Sequence, residues 1–293
     1  MVTAVVLSGG GSLGAVQAGM LLALRDAHVT PDLYVGSSVG ALNAAYMAGQ
    51  AERCGAGQLA RIWAALRRED VFPTDVVCVL RAMIGRADSL TNPQPLRQLV
   101  QRHLGYERLE DAARPVVVVA TDVLTGTEVA LSQGPAVDAV MASAALPAVF
   151  PPVTIGSRLL MDGGVVNNTP ISVAQQLGAD TIYVLPTGYA CALDEPPRSA
   201  LGMGIHAVTL AIQQRLIADV AALQGGLDLR VAPPLCPLTV SPIDFTHTTS
   251  LIERARIATK AWLDQPLAPD QTRDLALHDH RRPPELAQSK GSR

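Results

Sequence analysis

Twice within the first 48 residues, a short apolar run rich in β-branched side chains stops at glycine and gives way to a helix of small residues. No other feature constrains the fold as strongly. Val2 to Leu7 end at Gly9-Gly10-Gly11, after which Val16, Met20, Leu21 and Leu24 recur at helical spacing between Gly14 and Ala27. Asp32 to Val35 form the second run, Gly36 to Gly40 its turn, and Ala41 to Met47 the second helix. Strands joined through a crossing helix pair side by side in parallel, so the pattern predicts an α/β protein with a mostly parallel sheet.

The alternation continues downstream. Pro115 opens Val116 to Ala120, apolar at every position as a strand covered on both faces requires, and Thr125-Gly126 turns it toward a partner strand at Thr127 to Leu131. A short helix at Val137 to Ala145, a strand at Leu159 to Met161, a helix at Ile171 to Leu177 and a strand at Thr181 to Leu185 follow. Residues 58–104 read as a mainly helical insertion over the sheet, with breaks near Pro73, Gly85 and Pro93 to Pro95. Beyond the loop Pro186 to Gly204, one face of a long helix is marked by Ile205, Val208, Ile212, Leu216, Val220 and Leu223. A strand at Leu229 to Val231 and a helix at Leu251 to Leu263 close a single domain of residues 1–264. Residues 265–293, which hold four prolines and no periodicity, are expected to be a disordered tail.

Composition agrees with a large core. Hydrophobic residues make up 48% and charged residues 17%, the latter below the roughly 25% usual in soluble domains. A net charge of −3 and an aromatic content of 3% leave no basic, stacking surface for nucleic acid. Cys54, Cys78, Cys191 and Cys236 lack metal-ligand spacing and are expected to be reduced core thiols. The opening MVTAVVLSGG has no basic leader region and reads as a strand. No run of ~18 apolar residues follows anywhere, so a cytoplasmic setting is expected.

The chemistry concentrates at the glycine turns. Gly36-Ser37-Ser38-Val39-Gly40 fits G-x-S-x-G with Ser38 as the central serine, between a strand and a helix, where a tight turn would lift its hydroxyl above the sheet edge. A plain strand-to-helix turn with an N-capping serine is the competing reading. Gly9 to Gly14 fit G-x-G-x-x-G, a dinucleotide signature, but the acidic residue expected at the far end of the second strand is absent, because Asp32 precedes that strand. Backbone amides of Gly9, Gly10 and Gly11, unobstructed by side chains, suit an oxyanion hole instead.

A nucleophilic serine needs a base. Of six histidines only His247 sits in a plausible loop, while Asp162-Gly163-Gly164 places a carboxylate just past a strand, beside two glycines that permit close approach. A simple Asp-Gly turn is the other reading of that triplet.

Four segments together resemble the patatin-like phospholipase family: LSGGGSLGAVQAGML, YVGSSVGALNAAYMAG, SAALPAVFPPV and DGGVVNNTPISVAQQLGAD, in family order over residues 4–185. The resemblance implies a three-layer α/β/α sandwich that cleaves lipid acyl esters without metal or cofactor. It also implies Ser38 as nucleophile, Asp162 as its base in a dyad without histidine, and Gly9, Gly10 and Gly11 as oxyanion donors. Gly14, Gly36, Gly40, Gly163 and Gly164 would support these motifs. An aspartate base predicts a pH profile without the limb near ~6.5 of an ordinary histidine. The chain departs from the family at Leu13, where Arg or Lys is usual, so no fixed cation stands ready for a phosphate-bearing substrate.

Partners implied are a lipid or acyl ester and no nucleic acid. An apolar patch, Val76, Val77, Val79, Leu80, Met83 and Ile84, suits either peripheral membrane contact or a buried core helix. Acyl transfer to an alcohol, or a silent lipid-binding module on the same fold, are the alternatives to hydrolysis.

Overall fold

The computed structural model of the chain describes residues 1–50, 55–73, 89–189, 191, 198, 200–223, 227–268 and 270–276. The expected strands form around the β-branched runs: β1 (Thr3–Leu7), β2 (Leu33–Ser37), β3 (Val116–Asp122), β4 (Glu128–Leu131), β6 (Arg158–Asp162), β7 (Thr181–Leu185) and β8 (Asp228–Val231). A short β5 (Val153–Ile155), not apparent in the sequence, pairs only with β6 at the sheet's edge. The order is β5-β6-β3-β2-β1-β7-β8, with β4 on β3. From β3 through β2, β1 and β7 to β8 every neighbour is parallel, whereas β4, β5 and β6 pair antiparallel.

Side chains alternate across this sheet and feed two cores. Val5, Leu7, Tyr34, Val116, Val118, Tyr183 and Leu185 pack with helices α1 (Gly14–Asp26), α2 (Val39–Ala48) and α3 (Gly55–Ala65). Ala4, Val6, Val35, Val117, Val119, Ile182 and Val184 pack with residues of Ile171–Gln176 and Ala200–Leu223 on the other face. The result is a three-layer α/β/α sandwich. Fully buried central strands explain why β3 is apolar at its first five positions, since neither face meets water.

Three expectations need adjusting. Among the described side chains of Ala200–Leu223, Gln213, Leu216 and Val220 are buried, whereas Val208 is 60% exposed because it lies on the outward side of the helix. Packing does not stop at Asp264: Gln271 is buried and bonds both Val231 N–H (2.7 Å) and the Leu229 carbonyl (2.6 Å), capping strand β8. Leu275 is buried in the second core, and its carbonyl accepts from Gln213 (2.6 Å). Cys191 is half-buried against the first core and Cys236 exposed, so neither is a fully buried core thiol; their sulfurs lie 3.6 Å apart. Cys54, Cys78 and the apolar patch around Val76 to Ile84 lie outside the described residues, as does the tail from 277. Among the described residues, no helix is long and apolar enough to cross a membrane.

Candidate active site

Ser38 follows the last residue of β2 and precedes α2, with φ 55° and ψ −126°, a backbone conformation costing a non-glycine residue on the order of 1–3 kcal/mol. Its neighbours permit the sharp turn. A Cβ on Gly36 would stand 2.3 Å from the Gly40 carbonyl oxygen, and one on Gly40 would stand 2.1 Å from that of Leu7. The hydroxyl thereby leaves the sheet plane, and Ser38, although it stands at the N-cap position of α2, makes no side-chain cap bond.

The sheet itself delivers Asp162 to this hydroxyl. On β3, Val119 registers with Ser37 of β2, and the next residue, Ala120, registers with Asp162 of β6. Because β4 occupies the opposite edge at these positions, β2 and β6 share one edge and meet end to end. Ser38 Oγ donates to Asp162 Oδ2 at 2.6 Å, and Gly164 N–H donates to Oδ1 at 2.7 Å. Gly163 permits the contact of strands beneath, since a Cβ there would meet the Val119 carbonyl oxygen at 2.1 Å.

Asp162 is 3% exposed, and burial raises its carboxyl from an ordinary 3.8 to about 6, against the lowering effect of the bonds from Ser38 and Gly164. A carboxylate so placed is a far better proton acceptor than an exposed one. No described hydrogen bond joins a histidine to Ser38 or Asp162. His247 instead stands at the N-cap position of the helix Thr248–Leu263 without a side-chain cap bond, its side chain 57% exposed and 3.7 Å from Asp244.

The glycine loop runs beside the serine, for a Cβ on Gly9 would come within 3.0 Å of Ser38 Cβ. Gly9 N–H is engaged, donating to the Asn168 carbonyl at 3.0 Å, so the expectation of three free amides is corrected. A backbone donor already satisfied cannot receive an oxyanion at full strength. Gly10 and Gly11 N–H groups have no acceptor among the described hydrogen bonds. Thr187 Oγ1 holds the Gly9 carbonyl (2.7 Å), and Pro242 and Ser241 carbonyls hold Ser12 N–H (2.7 Å) and Oγ (3.1 Å).

A cleft of about 450 Å3, counting space open to solvent, borders Gly9 and Gly10. Its walls include Leu13, Ile212, Leu216, Pro242 and Thr209, and among the described residues no lining side chain carries a formal charge. Leu13 itself is 1% exposed, a core residue as well as a wall.

Sequence reading missed Ser143 and Asn168. Ser143 Oγ accepts Ser38 N–H (2.9 Å) and donates to the Val119 carbonyl (2.5 Å), while its own carbonyl takes Gly163 N–H (3.2 Å). Both lie inside segments that resemble the family, but only their contacts across the sheet disclose what they hold.

The model of the family described as patatin-like phospholipase matches residues 5–174, more than half of the chain. The chain belongs to the patatin-like phospholipase family. It is 30% identical over 187 residues to patatin-like phospholipase domain-containing protein 6 of Mus musculus, covering 63% of this chain and 13% of that protein. An uncharacterized NTE family protein of Mycobacterium bovis is 32% identical over 168 residues, covering 57% of this chain and 27% of that protein. The patatin-like chain thus spans only a small part of these relatives. VipD from Legionella pneumophila shares the fold, with a TM-score of 0.50 at 15% identity over 90% of this chain and 66% of that one. Family membership accounts for the spacing of the four motifs, whereas the geometry above is this chain's own.

Proposed function

We propose that this patatin-like protein is a serine acyl hydrolase acting on lipid acyl esters. The observation that carries the reading is the Ser38 hydroxyl, on a strained elbow, donating to a buried carboxylate whose affinity for protons is raised. In the reaction, Ser38 Oγ attacks the ester carbonyl carbon as its proton passes to Asp162 Oδ2. The carbonyl oxygen takes negative charge and accepts from the amides of Gly10 and Gly11. Collapse expels the alcohol, which takes the proton from Asp162, and leaves an acyl-Ser38 ester. Water attacks that ester as Asp162 takes its proton, the acyl–Oγ bond breaks with that proton returning to Ser38 Oγ, and fatty acid leaves.

Leu13 supplies no cation beside the glycine loop, which favours neutral esters over those needing a bound phosphate. The reading is tested with a fluorophosphonate probe and a p-nitrophenyl ester on wild type, Ser38→Ala and Asp162→Asn. Labelling and turnover by wild type alone support it. No labelling and no turnover by wild type would point to a silent lipid-binding module. Products analysed with an added alcohol separate hydrolysis from acyl transfer.

A further inference from the structure

Behind the glycine loop runs a chain of three buried polar side chains that the proposed reaction does not use. Gln17 in α1 is 0% exposed, Asn43 in α2 1% and Trp63 in α3 6%. Gln17 Nε2 donates to two backbone carbonyls, Ser8 (2.9 Å) and Leu185 (2.9 Å), just where the β1–β7 ladder ends. Asn43 Nδ2 donates to Gln17 Oε1 (2.9 Å) and to the Gly14 carbonyl (3.1 Å), and Trp63 Nε1 donates to Asn43 Oδ1 (2.9 Å).

The direction of this relay admits one solution. Indole N–H is only a donor and backbone carbonyls are only acceptors, so both ends are fixed. With Ser8 and Leu185 accepting, Gln17 must present its NH2 to them and its oxygen to Asn43. Asn43 then presents its oxygen to Trp63. Flipping either amide would set donor against donor or acceptor against acceptor, which costs more than the loss of a bond.

Ser8 and Gly14 flank the glycine loop on its two sides, and α2 begins directly after Ser38. One relay therefore ties both ends of the loop to the helix that carries the nucleophile. We infer that Gln17, Asn43 and Trp63 are positioning residues that set the glycine-loop amides against Ser38 for oxyanion binding. The role rests on the proposed hydrolase reading. An apolar replacement would pack the same helices, whose contacts around Ala15, Ala18, Ala41, Ala44 and Leu59 are already apolar. What it would not do is hold two loop-flanking carbonyls in register with α2.

The test uses full-length Trp63→Phe, which removes the terminal donor and keeps a ring to stack on Phe245 (centroids 6.3 Å apart), with Gln17→Met as the stronger variant. On a p-nitrophenyl ester, kcat is expected to fall about 10-fold or more with KM within about twofold, and fluorophosphonate labelling to slow in parallel. The double variant should lose little more than Gln17→Met alone. Amide hydrogen exchange over residues 9–14 should quicken in Trp63→Phe whether or not an ester is turned over. A lower Tm with kcat, labelling rate and loop exchange unchanged would overturn the inference, and if Gln17→Met does not fold, Trp63→Phe decides it. An active wild type with an unaffected Trp63→Phe sinks the relay alone. An inactive wild type sinks the hydrolase reading and leaves exchange to judge the loop.

Discussion

Ser38 and Asp162 lie 124 residues apart in the chain and 2.6 Å apart across one hydrogen bond. The reason is a head-on meeting of strands: β2 runs parallel to β3 and β6 antiparallel, along one edge, so their ends converge on Val119 and Ala120. An all-parallel sheet could not bring two strand ends face to face in this way.

The two adjacent serines should separate cleanly. Ser38→Ala is expected to abolish ester turnover while the circular dichroism spectrum and Tm stay close to wild type. Ser37 Oγ is fully buried and, among the described residues, has no hydrogen-bond partner. Ser37→Ala removes that unpaired hydroxyl, so it should retain activity and gain up to about 1 kcal/mol in denaturant unfolding. Inactive Ser37→Ala with active Ser38→Ala would reverse the assignment.

Asp162→Asn should trade activity for stability. The folded protein holds the Asp162 proton to about pH 6, whereas the unfolded chain releases it near 3.8, so the wild type loses stability as pH rises through that window. The lost stability is bounded at about 3 kcal/mol, and Asn, with one acceptor oxygen for two donors, returns about 1 kcal/mol of the gain. Tm measured at pH 8 should therefore be higher in Asp162→Asn, and the gap should vanish near pH 4. A variant less stable at both pH values would contradict the raised carboxyl.

Turnover should decline on the acid side with a midpoint near 6, as Asp162 takes up its proton. That midpoint lies close to the ~6.5 of an ordinary imidazole. The profile alone therefore no longer separates aspartate from histidine, contrary to the expectation from sequence. His247→Ala decides: exposed and paired only with Asp244, it should keep kcat/KM within about twofold.

Neutral acyl glycerols should be hydrolysed at least as fast as anionic phospholipids of the same acyl chain, because Leu13 supplies no cation beside the glycine loop. Rates on the matched pair in mixed micelles would show it. A strong preference for the phosphate-bearing lipid would mean that a cation elsewhere in the chain serves the site.

Two glycines bracket the cost of a methyl group. A Cβ at Gly163 would meet Val119 O at 2.1 Å and Ser37 Oγ at 2.6 Å, whereas at Gly105 nothing lies within 4 Å. Gly163→Ala should cost about 3 kcal/mol or more, or yield insoluble protein, and Gly105→Ala should be neutral or slightly stabilising. Equal Tm values for the two would refute the close approach.

Local pattern in the sequence determines the alternation of strands and helices, because side-chain period and glycine punctuation are properties of consecutive residues. The elbow at Ser38, the carboxylate at Asp162 and the glycine loop are legible for the same reason, each being a short motif. Edge strand β5, three residues long, leaves too little pattern to read. The packing of Gln271 and Leu275 is equally hidden, since their partners Leu229, Val231 and Gln213 are tens of residues away. Only the tertiary structure decides that Gly9 N–H is already engaged by Asn168, that burial lifts Asp162, and that Ser143 and the Gln17–Asn43–Trp63 relay hold the pieces in place. Hydrogen-bond partners and desolvation belong to atoms brought together across the sheet, and no stretch of chain contains them.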